Sequence, residues 1–354
     1  MEHLFFILPP EPYHPTGGNW YNQFLLKHLR ERGVLFQTLT LGGGLESLAR
    51  GRRGQYFVDS LLLDHLAELL DRAGAGQDIF VIVHHMHSLY PSQYQDIRMA
   101  LLEQELYGRV TGFLVTSSFT GSVLQEWRHR QQPVFEVRPA LCCLPTESEF
   151  QPVTGFRGLM VANLTPVKGV LELLQGLALR LSDRERFDLR IVGRPDLDPH
   201  YTRRCLQVVE GHAALKASVR LLGSLSLAQL QEAYTGSNLF LSASQIETYG
   251  MAVHEARAFG LPVLALNTGN LRNLVQPGRT GQLFGALPDL VEDVIQLIRK
   301  PQAIQALHRR AFEHRLKDDY SWEDAADLFL AQLRVWRSHR PAHREDSRTV
   351  LAVE

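Results

Sequence analysis

Short apolar runs alternate with amphipathic stretches along most of the chain, the pattern of strand–helix units laid on a parallel sheet. In the first half the runs fall at residues 4–8, 34–41, 79–83, 112–116 and 134–137, with helical stretches such as 21–32 between them. In the second half they fall at 159–164, 189–192, 219–222, 239–241 and 263–266. Five units in each half predict an α/β protein of two Rossmann-like domains with parallel sheets. Between the halves, residues 142–157 carry Pro145, Pro152 and Gly155 among polar residues, the composition of a linker. The boundary is placed near Pro152, giving domains at 1–151 and 152–320. A last helix is expected at 321–338, where Ser321 can cap and Glu323 suits the positive helix end. The polar, aperiodic residues 339–354 read as a disordered tail.

A length of 354 residues agrees with two folding units, since single cores stop growing near 250–300 residues. Lys and Arg number 37 against 38 Asp and Glu, so no global field draws in a nucleic acid. Residues 1–150 hold 12 Lys and Arg against 16 Asp and Glu, so that half is no basic platform either. Arg50, Arg52 and Arg53 cluster in a Gly-rich loop, read as a solvated patch with contact to phosphate lipids as the alternative. Cys142, Cys143 and Cys205 form neither a disulfide framework nor a four-ligand zinc site, which points to a reducing compartment. No run approaches the ~20 apolar residues of a membrane span, and no secretory leader is recognised at Met1. The expected location is cytoplasmic.

The informative segment is 242–264, SASQIETYGMAVHEARAFGLPVL. A buried strand ends near 241, a polar loop contains Gly250, and a helix is predicted at 251–259, stopped by Gly260 and Pro262. Backbone N–H groups of Gly250 and Met251 at that helix start suit a phosphate, and glycine lets the ligand approach closely. Glu247 and Glu255 flank the turn. Ionised carboxylates only accept hydrogen bonds, so they suit sugar or ribose hydroxyls, the alternative being a solvated loop acid and a helix-start acid.

This stretch resembles the E-x7-E signature of the retaining glycosyltransferases of family four, which have the GT-B fold. The runs GLPV from Gly260 and PGRTG from Pro277 match as well, and the likeness extends to about residue 338. The resemblance implies two domains facing across a cleft, with the last helix crossing back to the first. It implies that Glu255 holds the donor ribose and Glu247 the transferred sugar, with Tyr249, Gly250 and Met251 between them at sugar and phosphate oxygens. PTGGN, with Gly17 and Gly18, resembles the family's glycine loop beside the diphosphate; alone it is a plain turn. VANLTPVKG, from Val161 to Gly169, resembles the element whose lysine, here Lys168, neutralises the leaving diphosphate. LLGSLS, with Gly223 and Leu225, resembles the stretch whose backbone reads the nucleobase. The family's histidine that points at the transferred sugar is matched to His84, with His85 close behind. His84, His85 and His87 do not have a zinc spacing.

Two departures change the picture. The family usually has an arginine where this chain has Asn163, so neutralisation would rest on Lys168, the helix start and Arg194. Asn270 and Asn273 stand where Gly and Glu are commoner. Asp196 and Asp198 match a metal-binding D-x-D only superficially and read as loop surface. The implied activity is metal-independent transfer of a sugar, with retention, from a nucleotide diphosphate sugar to an acceptor hydroxyl, with no cofactor. The alternatives are a sugar-nucleotide epimerase of the same fold or a nucleotide-sugar-binding module without turnover.

Overall fold

The structure is a computed structural model that describes residues 3–10, 16–90, 93, 96–127, 132–145, 149–150, 152–317 and 319–339. The first sheet contains β1 (His3–Ile7), β2 (Phe36–Leu39), β3 (Gly54–Asp59), β4 (Gln77–Val83), β5 (Gly112–Val115) and β6 (Val134–Glu136). The second contains β7 (Arg157–Val161), β8 (Asp188–Val192), β9 (Val219–Gly223), β10 (Leu239–Ser242), β11 (Val263–Leu266) and β12 (Gly281–Phe284). Their orders are β2-β1-β3-β4-β5-β6 and β12-β11-β10-β7-β8-β9. The strand pairs are parallel, for example Phe6 opposite Phe57 and Leu264 opposite Leu241. In such sheets ligands gather at the carboxyl ends of the strands where the order reverses.

Each domain therefore has six strands, not the five expected. The missed β3 lies beside β1 at the centre of its sheet and is buried along its length. Its sequence, GQYFVD, offers only the three apolar residues Tyr56 to Val58, bounded by Gln55 and Asp59. That amide is satisfied from afar: its Nε2 donates to Asp78 at 3.3 Å and its oxygen accepts from Arg337 of the last helix. The missed β12 is a four-residue edge strand, too short to show a period.

The first helix, Gly17–Glu31, starts four residues before the expected stretch and so takes in Gly17 and Gly18. Its entry is fixed by Thr16, whose backbone N–H and hydroxyl both donate to Asn19 Oδ1, at 2.9 and 2.7 Å. It buries Tyr21, Leu25 and Leu29 at helical spacing. The last helix, Trp322–His339, is capped by Ser321, whose hydroxyl accepts from the backbone of Asp324 at 3.1 Å. It lays Trp322, Ala325, Ala326, Phe329 and Leu333 on the same core as Phe6, Phe57 and Phe80 of the first sheet. Gln332 exchanges two 3.0 Å bonds with the backbone of Glu136, so this helix extends the first domain. The tail expected at 339–354 lies outside the described residues except for His339. Among the described residues no helix is long and apolar enough to cross a membrane.

Candidate functional site

Lys168 ends a short turn, Pro166–Lys168, that is followed by Gly169 and the helix Val170–Ala178. Gly169 has φ +67°, and a β-carbon there would stand 2.2 Å from the Ala243 carbonyl oxygen. Only glycine lets this turn press against the loop after β10. Gln245 N donates to Val167 O at 2.8 Å in the same contact. The result is that Lys168 Nζ reaches Glu247 Oε1 at 2.6 Å. The side chains are 29% and 16% exposed, so the pair is partly desolvated yet open to a ligand.

Beyond Glu247 the chain turns at Gly250, with φ +92°, into the helix Met251–Ala258. A β-carbon at Gly250 would stand 2.8 Å from Leu271 Cδ2. Asn270 holds this loop: its N–H donates to Glu247 O and its Nδ2 to Tyr249 O, both at 2.8 Å. Asn273 Nδ2 in turn donates to Asn270 Oδ1 at 2.9 Å. The two asparagines that departed from the family pattern are therefore supports of the glutamate loop. Tyr249 is buried, and its hydroxyl lies 2.9 Å from His254 Nδ1.

The same loop touches the first domain. Thr248 Oγ1 donates to His84 O at 2.6 Å, Ser117 Oγ donates to Thr248 O, and a β-carbon on Gly17 would stand 3.4 Å from Met251 Sδ. Gly18 backs onto the His84 ring, which a β-carbon would approach to 3.0 Å. His84 follows β4, and its Nε2 lies 3.0 Å from Asn22 Oδ1 and 3.5 Å from Asp59 Oδ2. Asn22 Nδ2 donates to Asp59 at 2.7 Å, so Asn22 Oδ1 is an acceptor and His84 Nε2 carries the proton. Burial lowers the His84 pKa, opposed by the Asp59 charge, which leaves the ring neutral at pH 7 with a lone pair on Nδ1. Asn22 and Asp59 gave no local signal in the sequence; only packing joins them to His84.

His85 and His87 place their Nε2 atoms 3.3 Å apart beside Tyr90. Burial and the neighbouring histidines push His85 down to about 3. The turn is pinned by the buried carboxylate of Glu103, which accepts from His87 N, Ser88 N and Ser88 Oγ. Tyr90 is pushed up to about 12, first by burial and then by the charges of Glu103 and Glu247.

Other expected site residues are engaged elsewhere. Glu255 is 5% exposed and accepts from Tyr234 OH at 2.9 Å and from the backbone N–H groups of Cys142 and Cys143. Burial raises its carboxyl to about 7 in spite of those bonds. Asn163 Oδ1 accepts from Arg194 N at 3.1 Å, and Arg194 Nε donates to Asp196 at 3.1 Å in a two-pronged pair. Arg194, expected as a second cation for the diphosphate, thus already has a carboxylate partner. Asp198 caps the helix Pro199–Gly211, accepting from Tyr201 N at 2.9 Å. Gly223, with φ +67°, ends β9 and its carbonyl accepts from Gly193 N, while Leu225 packs against the core around Tyr234. In the arginine cluster Arg50 pairs with Glu46 and Arg52 donates to Gln37.

Residues 148–314 match the family model described as "Glycosyl transferases group 1". A D-inositol 3-phosphate glycosyltransferase of Gordonia bronchialis is 28% identical over 199 residues, 54% of this chain and 43% of that protein. A lipopolysaccharide 1,2-N-acetylglucosaminetransferase of Salmonella typhimurium is 28% identical over 187 residues, 50% of this chain and 48% of that one. The chain thus spans under half the length of these curated relatives. Among solved structures, sucrose-phosphate synthase from Thermosynechococcus elongatus superposes with a TM-score of 0.75 at 17% identity, over 96% of this chain and 99% of that one. Anabaena HepE, in complex with UDP-glucose, superposes with a TM-score of 0.70 at 14% identity, over 96% and 100%. These likenesses establish the two-domain GT-B fold.

Proposed function

From the premise that this GT-B chain carries a group 1 glycosyl transferase domain, we propose that it moves a sugar from a nucleotide diphosphate sugar to an acceptor hydroxyl, retaining configuration. The observation that carries this reading is the Lys168–Glu247 pair, set beside the helix start at Gly250 and Met251 and against the glycine turn of the other domain. Breaking the bond from the sugar's anomeric carbon to the diphosphate leaves negative charge on the diphosphate. Donors fixed in advance where charge develops are worth a few kcal/mol each. Lys168 and the backbone N–H groups of Gly250 and Met251 are the donors this chain offers. Glu247 keeps Lys168 oriented and accepts a hydroxyl of the transferred sugar.

The acceptor oxygen attacks on the face that the diphosphate leaves, and its proton passes to the departing phosphate oxygen. This step needs neither a dedicated base nor a metal. Contact of His84 with the sugar falls to Nδ1, because Nε2 is committed to Asn22 and Asp59. When ionised, Glu255 has about four lone-pair sites, of which protein donors take three, leaving one for a ribose hydroxyl; when protonated, it can donate to that hydroxyl instead. The HepE complex with UDP-glucose supports a nucleotide sugar as donor.

A binding module without turnover is favoured by one observation, the engagement of Asn163 and Arg194 with each other and with Asp196. Incubation with UDP-, GDP- and ADP-sugars separates the readings. Nucleotide release that accelerates with acceptor supports transfer, isomerised sugar means an epimerase, and saturable binding without release means a module.

A further inference from the structure

The first and last helices are held side by side by two contacts that lie one turn to either side of His28. Phe24 stacks on Trp322 with ring centroids 5.2 Å apart, and Arg32 Nη2 donates to Asp327 Oδ2 at 2.7 Å. Between these contacts His28, only 6% exposed, meets two carboxylates: Glu31 of its own helix and Glu323 in the first turn of the last helix. His28 Nε2 lies 3.2 Å from Glu323 Oε1 and 3.6 Å from Glu31 Oε2. Its other nitrogen, Nδ1, lies 2.8 Å from Phe24 O. A carbonyl oxygen only accepts, so Nδ1 carries the hydrogen, and the neutral ring turns the lone pair of Nε2 toward both acids.

Three acceptors thus converge on one point. A proton on Nε2 serves one carboxylate, whereas a divalent metal bonded to all three atoms relieves every acceptor–acceptor contact at once. The spacing fits such an ion, since Zn–N and Zn–O bonds of about 2.0–2.2 Å at tetrahedral angles put neighbouring ligand atoms roughly 3.3–3.6 Å apart. The three atoms lie within 4.8 Å of one another, so the edge from Glu31 to Glu323 closes with a small turn of two half-exposed side chains. Metal-bound imidazole commonly donates its second N–H to a backbone carbonyl, which fixes the ring, and Phe24 O takes that part for His28. Lys27 faces the other oxygen of Glu31, Oε1, at 3.7 Å, and Arg32 is paired with Asp327, so both cations are engaged beside the triad. One imidazole with two carboxylates suits Zn2+ better than Mg2+ or Ca2+, which take oxygen ligands.

We infer that His28, Glu31 and Glu323 bind one Zn2+, with water in the fourth position, and that the ion clamps the last helix to the first. At 1.5 Å per residue, His28 lies roughly 16 Å along the helix axis from Gly17. The ion therefore stands apart from the sugar-transfer site, and the inference does not rest on the transferase reading.

The test uses the full chain without an affinity tag, freed of metal by a chelator and titrated with Zn2+ in a calorimeter and in thermal melts. One equivalent should bind where Mg2+ and Ca2+ do not, and the melting temperature should rise with Zn2+ concentration, as for any ligand held by the folded state alone. Glu31→Gln and Glu323→Gln change half-exposed groups, so each should keep a metal-free melting temperature near that of wild type. Each should weaken Zn2+ at least about tenfold, because losing even an outer partner of a ligand costs about 10–100-fold. Co2+ gives a signature that packing alone would not produce: the intense visible absorption of a tetrahedral ion in wild type, lost in Glu323→Gln and in His28→Gln. The absence of saturable Zn2+ binding overturns the proposal and leaves His28 as a protonated partner of Glu323. Unaltered affinity and absorption in both glutamate variants overturns it by placing the ion elsewhere in the chain, and binding that leaves the melting temperature unmoved overturns the clamp.

Discussion

Lys168 Nζ and Glu247 Oε1 lie 2.6 Å apart although 79 residues separate them in the chain. The two loops that carry them meet because Gly169 lets one press on the backbone of the other. A cation and an anion in direct contact set each other's position, so neither is an independent part. Lys168→Ala should lower kcat by about 10²–10³, the effect of removing one preorganised donor from a developing charge. Steady-state kinetics with the nucleotide sugar checks this; a raised KM with unchanged kcat would confine Lys168 to ground-state binding. Glu247→Gln combined with Lys168→Ala should cost less than the sum of the single effects.

Glu255 makes stability depend on pH. Burial holds its carboxyl at about 7, above its ordinary 4.5, so the folded chain keeps a proton that the unfolded chain releases between these values. The stabilisation is complete below pH 4.5 and is lost as pH rises to 7. A displacement of that size corresponds to about 3 kcal/mol. Urea midpoints of wild type, set against Glu255→Gln, should fall across pH 4.5–7, and parallel pH curves for the two proteins would argue against a buried titrating carboxyl.

Two glycines with similar backbone angles should respond differently to alanine. Gly33 has φ +71° with nothing near its absent β-carbon, so Gly33→Ala should cost only the left-handed penalty of about 1–2 kcal/mol. Gly169→Ala adds a collision with the Ala243 carbonyl and should cost at least about 2 kcal/mol more, together with activity, since it moves Lys168. Chemical denaturation of both variants gives the comparison, and equal losses would remove the close contact from the account.

Thr248 bridges the domains through its bond to the His84 carbonyl. Thr248→Val keeps the shape and removes the donor, leaving that carbonyl without this partner, at about 1–3 kcal/mol. Small-angle scattering should show a larger radius of gyration for the variant, reversed by saturating UDP-glucose if the ligand spans both domains. An unchanged radius would mean that other contacts hold the domains together.

The parts of this site that were legible in the sequence are those that a local turn creates. Gly250 and Met251 start a helix after a buried strand, and Gly169 follows Lys168 in a turn, all within a few residues. The parts that were hidden depend on distant partners. Nothing near Asn22 or Asp59 marks them as the setting of His84, because the three come from the first helix, β3 and the end of β4. β3 itself went unread because its three apolar residues stand between the polar Gln55 and Asp59, and the groups that satisfy Gln55 sit on β4 and the last helix. Glu255 was placed on its helix correctly, but its donors come from Tyr234 and the backbone of the interdomain segment, which no spacing rule connects to it.

The last helix has a consequence for how the chain is made. Phe6, Phe57, Phe80 and Phe135 emerge from the ribosome long before Phe329, which seals the same aromatic face. At about 5–20 residues per second that face waits roughly 10–40 s for its cover. Through that interval a nascent first domain presents uncovered aromatic surface to chaperones and to neighbouring chains. Ribosome-bound chains halted before residue 322 should therefore be bound by chaperones or aggregate, and chains extended past residue 339 should not.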